Sequence, residues 1–200
     1  MSKRVMAFVD GENLTSRYQE MLKAGEESLD SALRRSPNAP AMPVEIIEHT
    51  QDSFVWSHDL LTEPLLEQMN LIHVFYYTGV VGDEKVDQVR KKISEIPLSF
   101  NTADTLQQPT QQIIPRVHNK ADSSCNSKVI NMTIDVMKAA LTTSIDGILL
   151  LSGDSDFVPL VREVVRTSKQ MYVGAFSRGL SEELRNEVDM FIDLDPLFFG

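Results

Sequence analysis

Positive charge, cysteine and long apolar runs are what this 200-residue sequence has least of. Its 19 lysines and arginines face 29 aspartates and glutamates, for a formal net charge of −10. Such a chain repels a polyanion at long range unless its positive charge is gathered locally. General coating of nucleic acid is therefore excluded. A site whose acids hold divalent cations is not, because the cations neutralise part of that charge. The one cysteine, Cys125, cannot close an intrachain disulfide and has no conventional zinc-ligand set beside it, so it reads as a free thiol in a loop. No stretch approaches the roughly 18 apolar residues of a membrane span, and the N-terminus has neither the apolar run nor the cleavage site of a signal peptide. A cytoplasmic chain without membrane contact is the expectation.

What is present is a globular composition, 42% hydrophobic and 24% charged, able to bury a sizeable core. The length suits one α/β domain over residues 1–200, with a Pro-rich insertion or loop at about 25–60, where SPNAPAMP occupies 36–43. RVMAFV at 4–9 predicts a strand and 12–24 a helix; a short helix is expected at 62–69. LIHVFYYT at 71–78 is the near-continuous apolar run of a strand covered on both faces. A helix over 83–96 capped by Asp83, a strand around Ile113 and Ile114, and a polar loop at 118–127 follow. In the helix from Lys128 to Thr142 the stripe Ile130, Ile134, Met137 and Leu141 is expected to face the core, widened by Val129, Val136 and Ala140. Strand 146–152, helix 157–167, strand 171–176, helix 181–187 and strand 190–193 complete an alternation that implies βαβ crossovers and a mainly parallel three-layer sheet.

Ligands of such sheets bind beyond the carboxyl ends of the strands. Two strands here end in acids: FVDGEN carries Asp10, Glu12 and Asn13, and LLLSGDSDF carries Asp154 and Asp156. An aspartate before a helix is an ordinary cap and Asp-Gly an ordinary turn. Capping needs one acceptor per helix, however, and several carboxylates packed together repel one another unless they share protons or a cation. Oxygen donors without histidine or cysteine among them suit Mg²⁺ or Mn²⁺ rather than zinc.

FVDGEN, the helix ending in TIDVMKAA, and LLLSGDSDFVPLV resemble the NYN domain, a branch of the PIN-like nuclease superfamily, over residues 4–17 and 71–193. The resemblance implies a Rossmann-like, PIN-like fold with an acidic pocket that binds divalent metal and cleaves RNA. It equates Asp10 with the family's first-strand aspartate, Asn13 with the asparagine after it, Asp135 with the helix aspartate, and Asp154 and Asp156 with the later pair. Many members carry a further helix aspartate in a Val-Asp-Val context; KVINM has none, and Asn131 stands nearby as a neutral oxygen donor.

On that reading Asp10 and Asp154 are direct metal ligands, with Asp156 and Asp135 direct or through water. Asn13 orients a water or phosphate oxygen, and Ser152, Ser155, Lys128 and Arg178 are candidates for contact with substrate. A basic rim for RNA is sought in Lys85, Arg90, Lys91 and Lys92 on one helix, and in Arg178. Two other readings stay open: a non-catalytic interaction or regulatory domain that kept the fold, and a metal-dependent phosphatase or nucleotidase acting on a small phosphoester. A homodimer is also left open.

Overall fold

A computed structural model describes residues 3–27, 69–98, 111–121 and 127–199. The expected insertion beyond residue 27, the short helix as far as residue 68 and Cys125 lie outside the described residues. One seven-stranded sheet organises what is described: β1 (Lys3–Asp10), β2 (Met69–Val80), β3 (Pro97–Leu98), β4 (Gln111–Asn119), β5 (Gly147–Leu151), β6 (Gln170–Ala175) and β7 (Met190–Asp193). Their spatial order is β3-β4-β2-β1-β5-β6-β7. All neighbours pair in parallel except the two-residue β3, which lies antiparallel on β4.

The helices α1 (Gly11–Lys23), α2 (Asp83–Ser94), α3 (Ser127–Ala140), α4 (Val158–Arg166), α5 (Glu182–Asn186) and α6 (Asp195–Phe198) cover both faces. On one face Val5, Ala7 and Val9 of β1 pack with Leu14, Tyr18 and Met21 of α1 and with Val89 and Ile93 of α2. On the other, Phe8, Ile148 and Leu150 pack with Met132, Val136 and Ala139 of α3 and with Val161 and Val164 of α4. Alternate residues of β1 thus serve opposite layers, which is why its sequence is apolar at nearly every position instead of alternating. The expected three-layer, mainly parallel sheet is what the chain forms.

Two expectations need correction. The buried stripe of α3 is Met132, Val136, Ala139 and Ala140, whereas Ile130, Ile134 and Leu141 are 54%, 44% and 70% exposed. This helix carries apolar residues on most of its circumference, so two stripes compete on hydrophobicity alone. The smaller stripe is the one flanked by Lys128, Asn131 and Asp135, which it turns toward the strand ends. At α2 the cap is Gly82, at φ 99°, without a side-chain bond. Asn119 at the end of β4 pins the start of the helix without capping it: its Oδ1 accepts from the Gly82 N–H at 3.2 Å and its Nδ2 donates to Asp83 at 2.7 Å. The closing helix α6 was not anticipated; Phe198 and Phe199 there pack on Tyr18 with ring centroids 6.0 and 5.1 Å away. Among the described residues no helix is long and apolar enough to cross a membrane.

Strands that follow β1 in the chain lie on one side of it as far as β4 and on the other from β5 onward, so the order reverses between β1 and β5. That reversal opens a crevice at the carboxyl ends of the two strands. Gly11 makes the sharp departure from β1 possible, because a Cβ there would stand 2.2 Å from the Tyr76 ring. Gly11→Ala is therefore expected to destabilise the fold by about 2 kcal/mol through overpacking. Urea denaturation monitored by circular dichroism checks it, and an unchanged midpoint would show that the ring yields freely.

Candidate functional site

β1 delivers Asp10 to the crevice one residue beyond the Val9–Leu151 pair that joins it to β5. Its other neighbour across the sheet is Tyr77 of β2. Asp10 is 1% exposed, and an acid buried to that degree requires hydrogen bonds and a counter-charge. It has both. Oδ1 accepts from the Asn13 N–H at 3.2 Å, capping α1, and from Lys128 Nζ at 2.6 Å; Oδ2 accepts from Ser152 Oγ at 3.4 Å.

The two strand ends are stitched together by the same residues. Asn13 Oδ1 accepts the Gly153 N–H at 3.1 Å, and Ser152 Oγ accepts the Asp154 N–H at 3.3 Å. Asp154 caps the short turn Ser155–Phe157 by accepting the Asp156 N–H at 3.0 Å. Ser152, fully buried, therefore links Asp10 to the Asp154 backbone. Asp154 is half-buried, while Ser155 and Asp156 are exposed. Arg178 is exposed on the turn after β6, a turn anchored where the Ser181 N–H donates to the Gly153 carbonyl at 3.0 Å.

Cations gather around these acids. Lys128 Nζ lies 3.1 Å from Glu12 as well as 2.6 Å from Asp10, with its side chain 11% exposed, and Lys120 Nζ lies 2.8 Å from Glu12. Burial pushes the Lys128 ammonium down, but Asp10 and Glu12 outweigh it and leave the group above the ordinary lysine value. Burial likewise raises Glu12, yet Lys120 and Lys128 hold it below the usual glutamate value. His118 is depressed by burial, with the two lysines adding to the effect against Glu12.

Beside this cluster is a cavity of about 500 Å³ whose lining includes Tyr77, Arg116, His118, Lys128, Asn131, Asp135 and Lys138. Asp135 does not join Asp10 there. It accepts from the Tyr77 hydroxyl at 2.8 Å and lies 3.5 Å from Arg116 and 4.0 Å from Lys138. Burial, and then the Asp135 hydrogen bond and charge, push the Tyr77 phenol well above its ordinary value. Among the described residues no three histidine, cysteine or acidic side chains are grouped to hold a metal ion.

No sequence pattern reports the basic wall, because Arg116, His118 and Lys120 are scattered singly along β4 and its turn. Their convergence depends on β4 pairing beside β2, from Val74–Ile113 to Val80–Asn119. Of the cations expected to form a rim, those on α2 lie elsewhere. α2 packs on the opposite layer from α3, Arg90 pairs with Asp87 at 2.6 Å, and Lys91 is 3.9 Å from Glu95.

A three-layer parallel sheet with acids and cations converging at its switch point defines an α/β protein of the PIN-like type. The family model of the NYN domain matches residues 4–195, and the chain belongs to that family, which is generally nuclease-like. It is 23% identical over 134 residues to the low amplitude and bright protein LabA of Synechococcus elongatus. That match covers 65% of this chain and 66% of LabA, just under two thirds of the relative's length. The fold is similar to a crystal structure of a protein of unknown function from Vibrio parahaemolyticus, with a TM-score of 0.58 and 16% identity, covering 100% of this chain and 97% of that one.

The charge cluster has a stated pH window. Glu12 is depressed below its ordinary value of 4.5, so its contribution to stability is complete above that value and is lost as pH falls through the folded-state value. Lys128 is raised above 10.5, so its contribution is complete below 10.5 and lost as pH rises through the folded-state value. Glu12→Gln is therefore expected to be less stable than wild type at neutral pH, with the difference shrinking toward pH 3.5. Urea midpoints across that range measure it, and a pH-independent difference would contradict the charge pairing.

Proposed function

We propose that this crevice is the active site of a divalent-metal-dependent ribonuclease that cleaves RNA phosphodiester bonds. The observation that supports it most is the delivery of Asp10 and the Asp154 turn by neighbouring strands to one switch point, beside a cavity walled by Arg116, His118, Lys128 and Lys138. A chain of net charge −10 needs such a local gathering of cations before a polyanion can approach. Volume is no obstacle, since about 500 Å³ falls in the usual range for a small-ligand pocket.

The donors fit Mg²⁺ or Mn²⁺ in kind, because they are all oxygen. The Lys128 ammonium seated 2.6 Å from Asp10 marks a place where positive charge is stabilised. Mg²⁺ keeps several waters and uses one or two carboxylates, so Asp10 and Asp154 suffice as direct ligands, with Asp156 and Asp135 acting through water. When bound, the ion supplies Lewis acidity toward a phosphoryl oxygen and activates water.

The protein's own groups do the rest. Ser152 and Asn13 hold the two acid-bearing turns in register, Arg116 and Lys138 bind flanking phosphates, and Ser155 and Arg178 contact the strand from the opposite rim. A specific observation favours a second reading, that of a non-catalytic RNA-binding domain: Asp10, Glu12 and Asp135 each already have a cationic partner.

Single-stranded RNA, structured RNA, DNA and small phosphoesters, each with Mg²⁺, Mn²⁺ or chelator, separate the readings. Cleavage of RNA is expected with either ion, reduced about a hundredfold or more in Asp154→Asn. RNA binding that depends on salt, without cleavage in any ion, would support the binding domain instead; hydrolysis confined to small phosphoesters would point to a phosphatase. In a parallel measurement, Arg116→Ala is expected to weaken RNA binding across sequences and to flatten the salt dependence of log Kd by roughly one unit. An unchanged slope would remove Arg116 from the phosphate path.

A further inference from the structure

Lys128 holds one of the two Asp10 carboxylate oxygens. Its Nζ is 2.6 Å from Asp10 and 3.1 Å from Glu12, and the lysine and aspartate side chains are 11% and 1% exposed. Asp10 Oδ1 already accepts from Lys128 and from the Asn13 N–H, and Oδ2 accepts from Ser152. An ammonium and a divalent ion on one carboxylate lie a few ångströms apart, and in a water-poor site that repulsion makes each weaken the other there. Binding of one at Asp10 therefore favours withdrawal of the other.

We propose that Lys128 is a built-in competitor for the divalent ion: its ammonium occupies Asp10 in the metal-free protein and leaves when metal binds. This rests on the reading of Asp10 as a metal ligand. The withdrawn ammonium has a destination, because Lys128 also lines the cavity with Arg116, His118 and Lys138. Moving toward that cavity places one more positive charge against an RNA phosphate. Metal binding and phosphate binding are thereby coupled in the same direction, and the coupling is reciprocal. A lysine serving only to hold Asp10 in place for metal predicts the opposite effect on affinity when it is removed.

Mn²⁺ binding, followed by the paramagnetic resonance signal of the free ion, tests this on wild type, Lys128→Met, Lys128→Arg and Asp154→Asn. Lys128→Met is expected to bind Mn²⁺ roughly tenfold more tightly than wild type, and Lys128→Arg, which keeps the cation, not to. Equal or weaker binding by Lys128→Met, with wild-type binding that Asp154→Asn abolishes, would overturn the competition and leave the metal site standing. Absence of Mn²⁺ binding in all four would overturn both. A second measurement needs no substitution: in wild type carrying ¹³Cε,¹⁵Nζ-lysine, saturating Mg²⁺ should move the Lys128 resonance. That of Lys169, which donates to the Ile145 carbonyl, should stay in place. If Lys128→Met does not fold, this spectrum decides, and an unmoved Lys128 signal at saturation overturns the proposal.

Discussion

A carboxylate at the end of a central strand, 1% exposed, is the constraint around which this protein is arranged. Burying an unpaired charge costs several kcal/mol, a large share of the net stability of a domain, so Asp10 obliges its surroundings to answer it. Three elements do so: α1 with the Asn13 N–H, the turn after β5 with Ser152, and α3 with Lys128. Each bond also ties an element to the sheet at the switch point. Removing Lys128 alone would leave Asp10 buried without its counter-charge, the situation in which breaking a pair is most destabilising. Asn13 adds a second tie by accepting the Gly153 N–H on its side-chain Oδ1, so the two acid-bearing turns are mutually oriented by a bond between side chain and backbone.

The same arrangement resolves the conflict between global and local charge. At −10 the molecule as a whole disfavours a polyanion, but that repulsion is screened over about 8–10 Å at ordinary ionic strength. Inside that distance the local set matters more. Arg116 reaches the crevice from β4, Lys120 from the turn after it, and Lys128 and Lys138 from α3. Gly79 belongs to this set by what it leaves out: a Cβ there would fall 2.6 Å from Glu12, 2.7 Å from His118 and 2.7 Å from Lys120. The absence of a side chain at that position makes room for the Glu12–Lys120 pair.

The fold was largely legible in the sequence because buried parallel strands announce themselves as apolar runs and their crossovers as helical periodicity. RVMAFV, LIHVFYYT and DGILLLS each lie at the heart of an observed strand or overlap it closely. The convergence of FVDGEN with SGDSDF followed from the rule that ligand sites lie at carboxyl strand ends. What was not legible depended on a choice among equals or on tertiary placement. In α3 the stripe containing Ile130 and Ile134 and the stripe containing Met132 and Val136 satisfy the same period, and only the polar edge that must reach the crevice decides between them. The bonds from Asn119 to Gly82 and Asp83 at the start of α2 join residues 37 and 36 positions apart in sequence, and no local pattern reports that. Arg116 and Lys120 read as isolated charges until β4 is seated beside β2.

Charge balance also bears on Asn131 of α3. Asp10, Glu12 and Asp135 are matched within 4 Å by Lys128, Lys120 and Arg116, three acids against three cations. Asn131 lines the same cavity and adds no charge to it. An aspartate there would tip this set to a net negative charge and call for an extra cation, from solvent or from a bound metal. With asparagine, the set is neutral as it stands, and Lys138, more exposed than the rest, leaves the cavity mouth with positive charge to spare. A neutral amide beside a cationic wall leaves the positive charge of that wall uncompensated. The cavity mouth keeps that positive charge because residue 131 is neutral; an acid there would draw on it.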